Sequence, residues 1–423
     1  MGSMIHLTLG RIQLDWGKNA GFCDHGPLFR PNDLAEIPYY YAADTDDKEC
    51  QHLPLISRSS GFSYRLVTEM KEGFSAPLRV VAERLELLGY TEKYCRREFE
   101  ELTSMVPSNH DFSFDELKVL LLNADFTQAA LGPHLPSENL AEFLAVTALR
   151  HIPETVQRLQ HESDLHDGEV SGLGAYTVIR LLADNPTARD LPVTWQFSDV
   201  LEGGWVSRDV ILTPVAQGRR FLLVTEGSSD VQVIKHALHL LRPDLSDFFD
   251  FVDMHDNYPF SGTGNLYNFV RGLISIRIQN NILVLFDNDA EGVFNFERSS
   301  RLNTLPNMRI MKLPDRQNFV RFRTLGPTGE QIANINGKAA AIECYLDVSR
   351  APVVRWTSYD QRRDCYQGHL VEKETFSKEF LSQKALVDGY DYSGLENVLD
   401  MLLRECISIN EENRATALES GSF

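Results

Sequence analysis

The sequence predicts an α/β domain on a mainly parallel sheet, preceded by a mostly α-helical amino-terminal region. Three observations carry this: two apolar runs that each end in carboxylates, a strand–helix alternation around them, and helical spacing of apolar residues upstream. The runs are Phe221-Leu-Leu-Val-Thr before Glu226-Gly-Ser-Ser-Asp230, and Ile282-Leu-Val-Leu-Phe before Asp287-Asn-Asp289. Four or five apolar, largely β-favouring residues followed by a turn signal read as a strand buried on both faces, the pattern of a parallel sheet.

Taken in order, residues 1–60 read as irregular or β-rich, with Gly, Pro, Asp and aromatics crowded together. From Ser63 to about Thr103 the pattern is helical, with Leu78, Val81, Leu85 and Leu88 at three- and four-residue spacing. Further helices are expected over Phe114–Asn123, Glu138–Arg150 and Ala175–Ala183. Val193, Trp195 and Phe197 alternate as in a strand, before a Gly203-Gly204 turn. The Pro214–Gly218 stretch marks a boundary, giving domains over 1–214, 215–373 and 374–423.

From Phe221 the chain alternates as a doubly wound unit does. A helix over Ser229–Leu241 is followed by a strand over Phe248–Met254, a helix from Asn265 to about Arg277, the strand into Asp287 and a helix to about Arg301. Met308–Leu313 reads as a short strand, hairpin arms flank Gly326-Pro-Thr-Gly329, and Lys338–Leu346 reads as one short helix. Residues 374–408 read as mainly helical, packing back on the sheet.

Composition bounds the function classes. With 43% hydrophobic and 24% charged residues, the chain reads as an ordinary soluble globular protein. Its apolar runs are too short to span a bilayer, and no secretory signal is legible at the amino terminus, so a cytoplasmic, membrane-free protein is expected. Six cysteines without Cys-x-x-Cys spacing fit a reducing compartment and argue against structural zinc. The net charge of −19 is unevenly spread. Residues 1–200 hold 17 basic against 30 acidic residues, whereas residues 261–373 hold 15 basic against 11 acidic. Local positive potential, rather than a basic chain overall, is what phosphate binding requires.

Carboxylates at the carboxyl ends of strands stand where open α/β sheets bind ligands. Three or four brought together there repel one another, so the pattern calls for a hard divalent cation, Mg²⁺ or Mn²⁺. Asp287 and Asp289, two positions apart at a strand end, can both face one ion. Glu226 is either a ligand or a general acid/base; Asp230 is either a ligand at a second ion or a helix-start charge. Ser261-Gly262-Thr263-Gly264 opens a helix and offers amides to a phosphate.

Glu226-Gly227 followed by Asp287-Asn288-Asp289, in this order on separate strands, resembles the TOPRIM domain of topoisomerases, bacterial primases and overcoming-lysogenization-defect (OLD) nucleases. Asp230 extends the first motif into the Glu-Gly-x-x-acid form of the nuclease branch. The resemblance covers residues 219 to 350. It implies that Glu343, in an Ile-Glu-x-x-Leu-like segment, completes a second metal position, and that Lys338 stabilises negative charge on the phosphate. The segments Leu7-Thr-Leu-Gly-Arg-Ile-Gln-Leu-Asp-Trp-Gly-Lys18, Arg355-Trp-Thr-Ser-Tyr-Asp and Tyr366-Gln-Gly-His-Leu resemble bacterial HEPN/TOPRIM-associated proteins, which occur among anti-phage defence genes. The latter two, with Lys373 behind, mix basic and aromatic residues in a way that suits nucleic acid. HEPN ribonucleases carry Arg-x(4–6)-His; Arg158 with His161 or His166 misses that spacing, and only Arg362 or Arg363 with His369 meets it.

These readings imply a metal-dependent endonuclease acting on DNA, with RNA as the other substrate. A homo-oligomer is expected, with a partner defence protein or ATPase supplying what the absent Walker motif would. The alternatives are a sensor or regulatory nucleic-acid-binding subunit whose partner supplies catalysis, and a phosphotransferase of haloacid-dehalogenase type using Asp287. Ala290-Glu291 departs from the latter pattern.

Overall fold

The computed structural model describes residues 2–57, 63–105, 113–129, 138–140, 143–144, 173–212, 220–252, 263–348, 352–361 and 365–419. The chain divides into two compact units, Met1–Val215 with Glu411–Phe423, and Ala216–Asn410. Among the described residues, no helix is long and apolar enough to cross a membrane.

The first unit is built on a seven-stranded sheet of β1 (Met4–Leu9), β2 (Ile12–Lys18), β3 (Leu34–Ala43), β4 (Leu55–Ser57), β5 (Ser63–Pro77), β6 (Glu138–Asn139) and β7 (Pro192–Gln196). The order is β3-β5-β7-β1-β2-β6, with β4 also on β5. Against the expectation of a mostly helical amino-terminal region, the described residues combine this sheet with helices. β5 begins at Ser63, where a helix was expected, because Tyr64 and Leu66, then Phe74 and Ala76, are buried at two-residue spacing. Helical spacing takes over only at Leu78, where α1 (Leu78–Leu87) starts. α2 (Glu92–Met105), α3 (Phe114–Asn123) and α4 (Ala175–Leu182) follow. Ser113 caps α3 reciprocally: its Oγ accepts from the Glu116 amide while Glu116 Oε2 accepts from the Ser113 amide at 2.7 Å. The helix expected over Glu138–Arg150 lies mainly outside the described residues, as do Arg158, His161 and His166.

The second unit holds a wholly parallel four-stranded sheet of β8 (Phe221–Thr225), β9 (Phe249–Phe251), β10 (Asn281–Phe286) and, beyond β11 (Asn288–Asp289), β12 (Met308–Lys312). α5 (Ser228–Leu241), α6 (Thr263–Ser275) and α7 (Ala290–Ser300) connect the strands. The order β12-β10-β8-β9 means that the chain steps from β8 outward to β9, then returns to the other side of β8. Strand order therefore reverses between β8 and β10, and such a reversal opens a crevice at the strands' carboxyl ends. Every residue of β10 is buried. Val224, Ile282, Val284 and Phe286 share a core with Leu266 and Val270 of α6.

β13 (Phe322–Gly326) and β14 (Gly329–Ala333) form the hairpin around Gly326–Gly329, where Gly329 takes φ 98°. β15 (Ala339–Ala340) pairs with β11, and β16 (Val354–Asp360) runs parallel to β13 and antiparallel to β17 (Cys365–Leu370). The short helix expected over Lys338–Leu346 is instead β15 followed by a single 3-10 turn, Ile342–Tyr345. Pairing of Ala339 and Ala340 with Asp289 and Asn288 overrides the helix propensity of three alanines. α8 (Lys373–Leu381) and α9 (Ser393–Glu419) follow. The expected single carboxyl-terminal extension is divided, because α9 belongs to the second unit up to Asn410 and to the first from Glu411.

Candidate active site

β8 and β10 run in register with Thr225 opposite Leu285, so the residues just past each strand emerge side by side. Glu226 Oε1 accepts a hydrogen bond from the Asp287 backbone N–H at 3.1 Å, which ties the two acidic motifs together across the point of strand-order reversal. Asp230, in the first turn of α5, accepts from the Gly227 N–H at 3.0 Å through Oδ2 and from Ser229 Oγ at 3.4 Å through Oδ1. Asp289 caps α7, its Oδ1 accepting from the Gly292 N–H at 2.7 Å. Glu343 is only 5% exposed, on the 3-10 turn, with Lys373 Nζ 3.8 Å from its Oε1. Lys338 bridges to Asp289 through the backbone, and among the described residues its ammonium has no hydrogen-bonding or ionic partner.

The carboxylates act on one another. Burial pushes the Asp287 carboxyl well above the usual carboxylate range, and Asp230, Glu226, Asp289 and Glu343 push it further. Glu226 is raised to about 8, by burial first and then by Asp289, against the opposing Asp287 N–H. Asp230 is raised to about 7, by burial and then by Glu343. Five acids in mutual electrostatic reach cannot all ionise near neutral pH without a compensating cation.

The donor set fits Mg²⁺ or Mn²⁺ in chemistry: all ligands are hard carboxylate oxygens, and the charge invites a divalent ion. In orientation the fit is incomplete. Among the described residues no three His, Cys, Asp or Glu side chains converge to hold one ion. The reason is visible, since Asp230 and Asp289 each turn an oxygen to a helix-start amide and Glu226 turns one to the Asp287 amide.

Sequence reasoning gave no role to Asn288, which is fully buried between the two aspartates. Its Oδ1 accepts from Gly337 N–H at 2.9 Å and Lys312 Nζ at 3.2 Å; its Nδ2 donates to Asp315 Oδ1 at 2.9 Å. Asn336 and Tyr345 complete the shell at 3.4 and 3.5 Å. This amide joins β11 to the chain that carries Lys338 and Glu343. The only signal in the sequence was its place inside Asp-x-Asp. Glu291, in the first turn of α7, also went unremarked and adds to the upward push on Glu226.

Of the expected phosphate loop, Ser261 and Gly262 lie outside the described residues, while Thr263 and Gly264 open α6 and Gly264 faces open space. Arg362 and Arg363 also lie outside; His369 sits on β17 opposite Arg355.

No curated protein and no solved structure matches the chain. A family model described as HEPN/Toprim N-terminal domain 1 matches residues 1–219, just over half of the 423, and ends before Glu226. The chain belongs to the HEPN/Toprim N-terminal domain 1 family.

Proposed function

We propose that the chain is a metal-dependent endonuclease that hydrolyses phosphodiester bonds of DNA at a TOPRIM-type acidic site, in anti-phage defence. The observation that carries the reading is the contact of Glu226 with the Asp287 amide at the point where strand order reverses, inside a cluster of acids that raise one another's proton affinity. In this reading Glu226, Asp287 and Asp289 hold the first Mg²⁺ or Mn²⁺, and Asp230 and Glu343 hold the second. The bound ions supply Lewis-acid activation of the phosphodiester. Glu226 either completes the donor set or takes a proton from the attacking water, and Lys338 offsets charge that develops on the phosphate.

The test is incubation of the protein with plasmid, linear DNA and tRNA in Mn²⁺. Asp287→Asn is expected to lower cleavage by roughly 100-fold or more, the scale of losing a charge-stabilising group in an active site. Equal cleavage by wild type and variant would remove the site from consideration.

The incomplete convergence of the carboxylates favours a second reading, a sensor or regulatory subunit whose partner supplies catalysis. It predicts nucleic-acid binding by the wild type with no cleavage at any Mg²⁺ or Mn²⁺ concentration.

A further inference from the structure

We propose that one face of the β16–β17 hairpin is a stacking platform for the unpaired bases of single-stranded DNA, so that the acidic site receives a single strand rather than a duplex. The inference rests on the phosphodiesterase reading for its purpose, and on the hairpin alone for its geometry.

The register across the hairpin sets Val354 opposite Leu370, Trp356 opposite Gly368 and Tyr359 opposite Tyr366, with an irregularity between Trp356 and Ser358. On β17 the residues Leu370, Gly368 and Tyr366 are two apart, so they and their partners share one face. At the inner end that face is core: Val354 and Leu370 are buried. Outward it becomes a run of rings. Tyr366 stands between Trp356 at 5.9 Å and Tyr359 at 4.9 Å, centroid to centroid. Gly368 makes room for the indole, since a Cβ there would come within 2.9 Å of the Trp356 ring.

A sheet normally ends an apolar face by changing to polar residues. Here two phenols remain 46% and 45% exposed at Tyr359 and Tyr366. Rings of this kind offer π-surface to any base, and the stacking is tolerant of sequence. The strand is assigned as DNA because the phosphodiesterase reading is of DNA, and the same strand as RNA is the opposing arm of the test.

What links the platform to the acids is the chain itself. Tyr366 to Leu370 spans about 13 Å of strand. Three residues further on, Lys373 opens α8 with its ammonium 3.8 Å from Glu343 and half exposed to solvent. A phosphate led off the rings towards the acids would meet this cation. A duplex keeps its bases stacked on one another and presents no free ring face.

The experiment measures binding in EDTA, where no cleavage can intervene, using the whole chain and a fluorescein-labelled 20-nucleotide mixed-sequence strand. Single-stranded DNA is expected to bind at least about tenfold more tightly than its duplex. Tyr359→Leu and Tyr366→Leu, which keep apolar bulk but remove the rings, should each weaken binding by about tenfold, while Tyr366→Phe binds as wild type. In the unmutated chain, a 5-bromouracil strand should crosslink to Trp356, Tyr359 or Tyr366, as read by peptide mapping. Equal affinity for duplex, unchanged binding by both leucine variants, or crosslinks confined elsewhere would each overturn the platform. Tighter binding of the same strand as RNA would overturn the DNA assignment. Binding with these properties but no cleavage in Mn²⁺ would retain the platform and reject the nuclease reading.

Discussion

Asn288 shows how the pair Asp287 and Asp289 is held at a strand end by the residue between them. Flanking Asp287 and Asp289 must leave the strand end in fixed directions, and the amide between them anchors both by reaching inward. Its partners Lys312, Gly337 and Asp315 lie on two further segments; Lys312 and Asp315 also pair with each other at 2.7 Å, whereas the Gly337 N–H is held by the Asn288 carbonyl oxygen. Asn288→Ala is expected to cost about 1–3 kcal/mol, the scale of leaving one amide, the Gly337 N–H, without its acceptor. Urea unfolding measures this directly; a loss below about 0.5 kcal/mol would mean that Asn288 is not the anchor. The acids beside it were legible because a carboxylate after an apolar run is visible within one stretch of chain. The role of Asn288 was not, because its partners stand 24 to 57 positions downstream and only the closed fold brings them in.

Between residues and domains stand the junctions of elements, and the one that matters here is β10 to α7. The helix begins almost as the strand ends, so its first turn passes directly over the Asp287 backbone. Gly292 permits this: a Cβ there would lie 2.9 Å from the Asp287 carbonyl carbon, 3.0 Å from its nitrogen, and closer still to its oxygen. Those atoms are backbone and cannot rotate away. Gly292→Ala should therefore cost about 1–3 kcal/mol through overpacking, despite alanine's better helix propensity, and should lower any cleavage activity by displacing Asp287. A variant as stable as wild type, or more so, would show that α7 can shift without consequence. The same scale explains where the sequence misled. Apolar positions at Leu78, Val81, Leu85 and Leu88 announce α1 correctly, but nothing in that spacing marks where the preceding 15-residue strand begins. At Ala339-Ala340 local propensity pointed to helix, and pairing with β11 decided otherwise.

At the scale of the molecule, stability and pH are linked through the acidic cluster, and the proposed metal enters the same linkage. Glu226 and Asp230 move from ordinary values of 4.5 and 3.8 to about 8 and about 7 on folding. The folded state thus binds more protons than the unfolded one through the window from about pH 4 to about pH 8. Stability from these groups is fully present below the unfolded values and declines as pH rises through that window, the reverse of a salt-bridged carboxylate. A divalent cation held as proposed would act against the decline, because it would bind the ionised folded cluster and not the unfolded chain. The net charge of −19 works in the same direction, adding general repulsion that a cation relieves. The metal-free protein should therefore melt at progressively lower temperature between about pH 5 and about pH 8. Millimolar Mg²⁺ or Mn²⁺ should raise the melting temperature by several degrees near pH 8 and little near pH 5. Asp287→Asn should flatten both the pH dependence and the metal response, because it removes the acid on which the other four act electrostatically. Scanning calorimetry of wild type and variant, in EDTA and in metal, reads all three. A melting temperature that rises through the window in EDTA, or an equal gain from metal in the variant, would mean that these carboxylates are not held together by a cation.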